Sequence, residues 1–158
     1  MSSTLHIFSL IILINTTLLG QQDSPCNCTI QQTIGVTGEE TQYSTLYPFS
    51  SSRCYFIKGT LVIDIETEEV NWDGLRIEME EGAQILVKSD FSMWDCYIAG
   101  CDVMWKGIKL EEDVDFFSYN CYIQAAEIAI YVTNCPGFVC RNTHFIDNFI
   151  GIGAGSPF

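Results

Sequence analysis

The sequence predicts an all-β chain wound into a right-handed parallel β-helix of coils about 22 residues long, and two observations carry that prediction. The first is texture. From Tyr55 onward, short β-rich segments recur: Leu61–Ile65, Leu75–Met79, Ala83–Val87, Gly107–Leu110, Ile128–Val132 and Ile150–Ile152. Most alternate apolar with polar or small residues, the period of a half-buried strand, and Gly, Asn, Asp and Cys separate them. No segment shows a convincing 3.6-residue apolar stripe. The second is repetition. Asn120–Ile130 lies over Asn142–Ile152 at an offset of 22 residues, pairing Asn120 with Asn142, Ile123 with Phe145, Ile128 with Ile150, Ala129 with Gly151 and Ile130 with Ile152. One step back sets Gly107 and Ile108 under Ala129 and Ile130, and Leu110 under Val132. It also sets Lys106 under Ile128, an apolar slot, so this coil is expected to be irregular at its start.

A fixed period with short strands has a simple physical solution. Each repeat makes one coil, and coils stack in parallel about 4.8 Å apart. Ile108, Ile130 and Ile152 are then one aliphatic ladder, and Leu110 and Val132 part of the next. Asn120 and Asn142 are expected to stack at one corner, their amides bonding along the axis. A second echo sets Trp72-Asp-Gly-Leu-Arg-Ile-Glu78 over Trp105-Lys-Gly-Ile-Lys-Leu-Glu111 at an offset of 33, which an insertion near Cys96–Cys101 would accommodate. Arg76 and Lys109 then fall at matching positions, expected to be outward.

The apolar run Leu5–Leu19 is too short to span a bilayer and ends at Gly20 before a polar stretch, so residues 1–20 read as a secretory signal peptide, although Met1–Thr4 lacks the usual positive charge. Residues 21–55 are polar and turn-rich and read as a lead-in, leaving 56–158 for the β-helix. All eight cysteines lie beyond the signal segment, and in an exported chain they point to disulfides, with buried free thiols or a zinc site as the competing readings. Cys96 and Cys101 share a spacing with Cys135 and Cys140, which suggests two local loops, each closed by its own bond; the partners of Cys26, Cys28, Cys54 and Cys121 stay open. A net charge of -13 repels nucleic acid.

The stretches Glu81–Val87, Met104–Ile108, Ala125–Ile130 and Thr143–Ile152, with the motifs W-x-G-I and F-x-x-N-x-x-G-I, resemble the parallel β-helix region of large secreted Bacteroidetes-type surface proteins. The resemblance covers roughly residues 60–152. It implies an extracellular or cell-surface place, and such proteins often carry a C-terminal sorting domain for type IX secretion. The chain stops directly after a strand, so it is expected to be the N-terminal part of a longer protein.

Three chemistries compete for these residues. A carbohydrate-active enzyme, polysaccharide lyase or glycoside hydrolase, needs converging carboxylates or a basic catalytic set. Here the basic residues are few, and His144 has only Asp147 near it in sequence. A calcium module needs six to eight oxygens. Among the clusters 66–69, 78–81 and 111–115, the best candidate is Glu111, Glu112, Asp113 and Asp115, which lacks a turn glycine; a solvated acidic face explains all three. The third is a structural or adhesive module, non-catalytic, with extracellular glycans or surface proteins as partners. Trp72, Trp94, Trp105, Tyr97, Phe116, Phe117 and Tyr119 are its candidate stacking residues, in competition with core filling. That third reading is the expectation, with the enzyme as the alternative.

Overall fold

The computed structural model describes residues 24–155, apart from Ile30, Tyr47 and Glu66, so the expected signal segment lies outside the described residues. The chain makes successive coils. The first carries β1 (Gln31–Ile34) and β2 (Glu40–Gln42). The second carries β3 (Cys54–Ile57), β4 (Thr60–Ile63) and β5 (Val70–Asp73). The third carries β6 (Arg76–Met79), β7 (Gln84–Val87) and β8 (Phe91–Trp94), and the fourth β9 (Tyr97–Ala99), β10 (Gly107–Leu110) and β11 (Phe116–Tyr119). The fifth carries β12 (Tyr122–Gln124), β13 (Ile128–Val132) and β14 (Phe138–Arg141), and the sixth β15 (His144–Ile146) and β16 (Ile150–Ala154).

Strands stack coil on coil into three sheets: β1-β3-β6-β9-β12-β15, then β2-β4-β7-β10-β13-β16, then β5-β8-β11-β14. Every pairing is parallel. The fold is therefore a parallel β-helix.

Register turns the repeat into a core. In the second sheet Leu61, Ile85, Ile108, Ile130 and Ile152 form one inward row, and Ile63, Val87, Leu110, Val132 and Ala154 the next. The first sheet contributes Tyr55, Ile77, Ile98, Ile123 and Phe145. The third stacks Val70, Phe91, Phe116 and Phe138. Because the same inward position is apolar in each coil, every row buries on the row below it. Burial falls off along the axis: Ile130 is 0% exposed, while Ile152 in the last described coil is 46% exposed. At the other end Tyr43 and Phe49 sit over Tyr55 and Trp72, with the Phe49 and Tyr55 rings stacked 4.2 Å apart.

Three expectations need correction. The solenoid begins at Gln31 rather than at residue 56, because β1 pairs with β3 and β2 with β4; the polar lead-in already follows the coil. The slot shared by Lys106 and Ile128 faces outward: Lys106 is exposed, Ile128 is half-buried and Ile150 is exposed. A lysine is at ease there. The true irregularity is Gly107, whose φ is +107° and where a Cβ would lie 1.6 Å from the Ile128 carbonyl oxygen, so only glycine fits. Finally, the two tryptophan motifs are not equivalent. Trp72 lies in β5 of the third sheet, whereas Trp105 bridges Ala126 just before β10 of the second. The 33-residue offset is one coil plus part of another, and what repeats is the grammar of strand, turn and strand. Both indoles are buried.

Removing atoms from a sealed row should cost more than removing them from an open one. Ile130→Ala is expected to lose about 3 kcal/mol and Ile152→Ala less than half of that, read from urea unfolding midpoints at unchanged slope. Ile130→Asp, which puts a charge into a dry row, should not yield a folded chain by circular dichroism.

Candidate functional site

One corner of the coil repeats with unusual regularity. Between the third and first sheets the chain turns through two residues: Gly74-Leu75, Asp95-Cys96, Asn120-Cys121 and Asn142-Thr143. The first of each pair is left-handed, with φ of +63°, +51°, +54° and +53°. Gly, Asp and Asn are the residues that tolerate this region. The turn keeps the axial ladder intact. The amides of Gly74, Asp95 and Asn120 donate to the carbonyls of Trp94, Tyr119 and Arg141 in the next coil. Asn120 Nδ2 also donates to the Asp95 carboxylate, tying two levels by side chains. Asn120 and Asn142 thus hold one corner in successive coils, but the axial side-chain bond runs from Asn120 to Asp95.

The second turn residue points inward, and Leu75, Cys96 and Cys121 are buried. The residues on either side of each turn point outward. Before the corner they are Asp73, Trp94, Tyr119 and Arg141, in register down the third sheet. After it they are Arg76, Tyr97, Tyr122 and His144, in register down the first sheet. Two outward columns therefore flank a polar corner, and both are aromatic in the middle coils. Trp94 and Tyr119 are each 40% exposed, whereas Trp72 and Trp105 are 1% and 0% exposed. The Trp94 ring lies 4.7 Å from Phe117 and 5.6 Å from Tyr119. Across the corner Tyr97 stacks on Tyr122 at 5.2 Å, and Tyr122 on His144 at 4.7 Å and 13°. Tyr97 Oη donates to Gln124 Oε1 at 2.7 Å, which fixes its ring. The result is a ridge of rings repeating at coil spacing, about 4.8 Å, held by strands on both sides.

Of the seven aromatic candidates, Trp72, Trp105 and Phe116 belong to the core, while Trp94, Tyr97, Phe117 and Tyr119 sit on or beside the ridge. Tyr122 and His144 join them, although in sequence His144 has only Asp147 near it. The signal for the whole ridge was present as Trp94-Asp-Cys-Tyr97 above Tyr119-Asn-Cys-Tyr122, an offset of 25 that a search at 22 passes over.

The other candidates fall elsewhere. Glu111, Glu112, Asp113 and Asp115 line the turn between β10 and β11, where Asp113 is left-handed and Asp115 packs against Gly137. They do not converge, and among the described residues no group of three or more His, Cys, Asp or Glu side chains is placed to hold a metal. Asp147 takes a left-handed turn at the far end of β15 from the ridge side of His144. A shallow groove of about 280 Å³ beside the third sheet brings Glu69, Asp90 and Asp115 near Phe117 and Val139.

The cysteine pairing differs from the local loops expected. Cys101 bonds Cys26, and Cys54 bonds Cys28. Cys96 faces inward and fully buried while Cys101 sits on the outer loop before β10, so the two side chains leave opposite sides of the backbone. The two bonds instead strap the turn Pro25–Asn27 along the outside of the coils, against β6 and β9. Cys135 and Cys140, expected to bond, are free thiols; Cys135 Sγ donates to the Val114 carbonyl at 2.6 Å.

Burial raises both thiols, Cys135 and Cys140, above the ordinary value of 9.0. The folded chain therefore holds these protons more tightly than the unfolded one. Their stabilising contribution is complete below 9.0 and is lost as pH rises through the folded values. In the native protein Cys135 and Cys140 should react with iodoacetamide more slowly than free cysteine at about pH 8.5. The gap should narrow as pH rises, as read by peptide mass mapping.

No family model, curated protein or solved structure matches this chain.

Proposed function

We propose that this chain is a non-catalytic, extracellular glycan-binding module. The ridge formed by Trp94, Tyr97, Tyr119, Tyr122 and His144 is its platform, on which a neutral polysaccharide lies along the coil axis. The observation that carries the reading is the exposure of Trp94 and Tyr119 at 40% each, in a chain whose other two tryptophans are sealed in the core. The tilted, partly exposed rings of Trp94 and Tyr119 offer apolar surface to sugar rings beside the stacked edges of Tyr97, Tyr122 and His144, and Asp95, Asn120, Asn142 and Arg141 supply hydrogen-bonding groups to hydroxyls. The flat stack of strands fixes the rings before a ligand arrives, which lowers the ordering cost of binding. A net charge of -13 disfavours uronate and sulfated polymers and leaves neutral ones.

The strapping disulfides and the absence, among the described residues, of a helix able to cross a membrane are compatible with a place outside the cell. The resemblance drawn from the sequence favours a bacterial surface as that place. The enzyme reading keeps one observation in its favour: Asp90 and Asp115 occupy successive coils beside the Phe117 groove, with Asp90 Oδ1 accepting from the Asp115 amide at 3.0 Å.

Isothermal titration against neutral polysaccharides (glucan, mannan, xylan) and anionic ones (alginate, polygalacturonate) separates these readings. Saturable binding to a neutral polymer is expected, weakened about fivefold by Trp94→Ala and again by Tyr119→Ala, since one ring-stacking contact is worth on the order of 1 kcal/mol. Phe149→Ala, away from the ridge, should bind as the parent does. Release of reducing sugar that Asp90→Asn abolishes would establish the enzyme instead.

A further inference from the structure

Directly beneath the ridge, two thiols face each other. Cys96 and Cys121 hold the inward position of the same corner in successive coils, bracketed by the registered pairs Trp94 with Tyr119 and Tyr97 with Tyr122. The ladder runs through them without a break: the Asp95 amide donates to the Tyr119 carbonyl at 3.0 Å, and the Tyr122 amide to the Cys96 carbonyl at 2.8 Å. This register sets their α-carbons one coil apart, about 4.8 Å, inside the range of about 4.4–6.8 Å that a disulfide spans. Both side chains are 0% exposed, and both leave the backbone toward the interior. Each sulfur reaches the carbonyl two residues before it at 3.3 Å, Cys96 that of Trp94 and Cys121 that of Tyr119, and Cys96 also lies 3.6 Å from the Trp72 carbonyl oxygen.

The remaining thiols lack this arrangement. Cys140 is registered with Ser118, not with a cysteine, and Cys135 is turned to the Val114 carbonyl. Two disulfides, Cys26–Cys101 and Cys28–Cys54, are already present, so the chain meets an oxidant able to make such bonds.

We propose that Cys96 and Cys121 are the site of a third disulfide, an axial rung that joins two coils under the aromatic ridge. The bond forms by exchange with the same class of oxidant, a protein or small-molecule disulfide. The Cys121 thiolate attacks one sulfur of the oxidant and its S–S bond breaks, so one oxidant sulfur leaves as a thiolate. The Cys96 thiolate then attacks the Cys121 sulfur of the mixed disulfide and expels the second. The pair gives up two electrons and two protons, and the oxidant becomes two thiols. Because neither sulfur reaches solvent in the closed coil, the exchange belongs to folding, before the fifth coil docks on the fourth.

The test uses the full chain produced in an oxidising compartment and purified without reductant. It is denatured in the presence of iodoacetamide, digested, and mapped before and after reduction. The expected result is a cross-linked peptide pair carrying Cys96 and Cys121, lost on reduction, beside the Cys26–Cys101 and Cys28–Cys54 pairs. Cys121→Ser should keep those two pairs and leave Cys96 alkylated. Full alkylation of both Cys96 and Cys121 in the parent chain, with the other two pairs intact, would overturn the proposal. So would a Cys121 link to Cys140.

Discussion

Parallel, in-register stacking of one coil on the next is the constraint on which the rest of the structure depends. It is set by backbone hydrogen bonds that run along the axis at every level, including through the corners, and by inward residues that match from coil to coil. Once Ile85, Ile108 and Ile130 lie over one another, each neighbouring position is fixed as inward or outward by the two-residue period of a strand. A slip of one residue would send the whole aliphatic row to solvent. The constraint is also forgiving between strands. Offsets from one level to the next range around 22 because turns absorb extra residues, as in the loop from Gly100 to Lys106 ahead of β10.

The ridge is a by-product of the same constraint. A left-handed residue at the corner reverses the alternation, so the residues on both sides of it point outward together. Gly74, Asp95, Asn120 and Asn142 satisfy the geometry at four levels, and this places Trp94 with Tyr97, and Tyr119 with Tyr122, on one edge. The inward residue of the same turn is Leu75, Cys96, Cys121 and Thr143 in successive coils, which is where Cys96 and Cys121 meet. Outer recognition surface and inner thiol pair are thus two sides of one turn. The outer strap held by Cys26 and Cys28 adds a different reinforcement, since its bonds reach coils far apart in sequence, from β3 to the loop after β9. By the chain-entropy argument each such bond contributes roughly 3 to 5 kcal/mol.

The rows of the second sheet were legible because the last three coils keep a strict 22-residue spacing, so Ile108, Ile130 and Ile152 declare themselves. Earlier coils were harder. The step from Leu61 to Ile85 is longer, and the first coil is polar enough to pass for a lead-in. The tryptophan echo misled because strand and turn chemistry repeats on every sheet, and a match in sequence does not say which sheet it is on. Cysteine pairing was not legible at all. It depends on which face of the backbone each side chain leaves, and Cys96 and Cys101 leave opposite faces although only five residues separate them. The acidic clusters looked like ligand sets in sequence, whereas in the coil Glu111–Asp115 is spread around an outer turn. For the ridge, burial was the missing quantity: composition alone cannot separate Trp94 from Trp72.

The chain has three tryptophans, and this makes the central claim directly observable. Each indole N–H gives its own signal in a nitrogen–proton correlation spectrum of the labelled protein, and a neutral polysaccharide fragment can be titrated in. If the outer corner is the recognition surface, the Trp94 signal moves with saturation while those of Trp72 and Trp105, sealed in the core, stay in place. A silent Trp94 in the presence of a bound glycan would contradict the account and move the binding surface elsewhere on the coil.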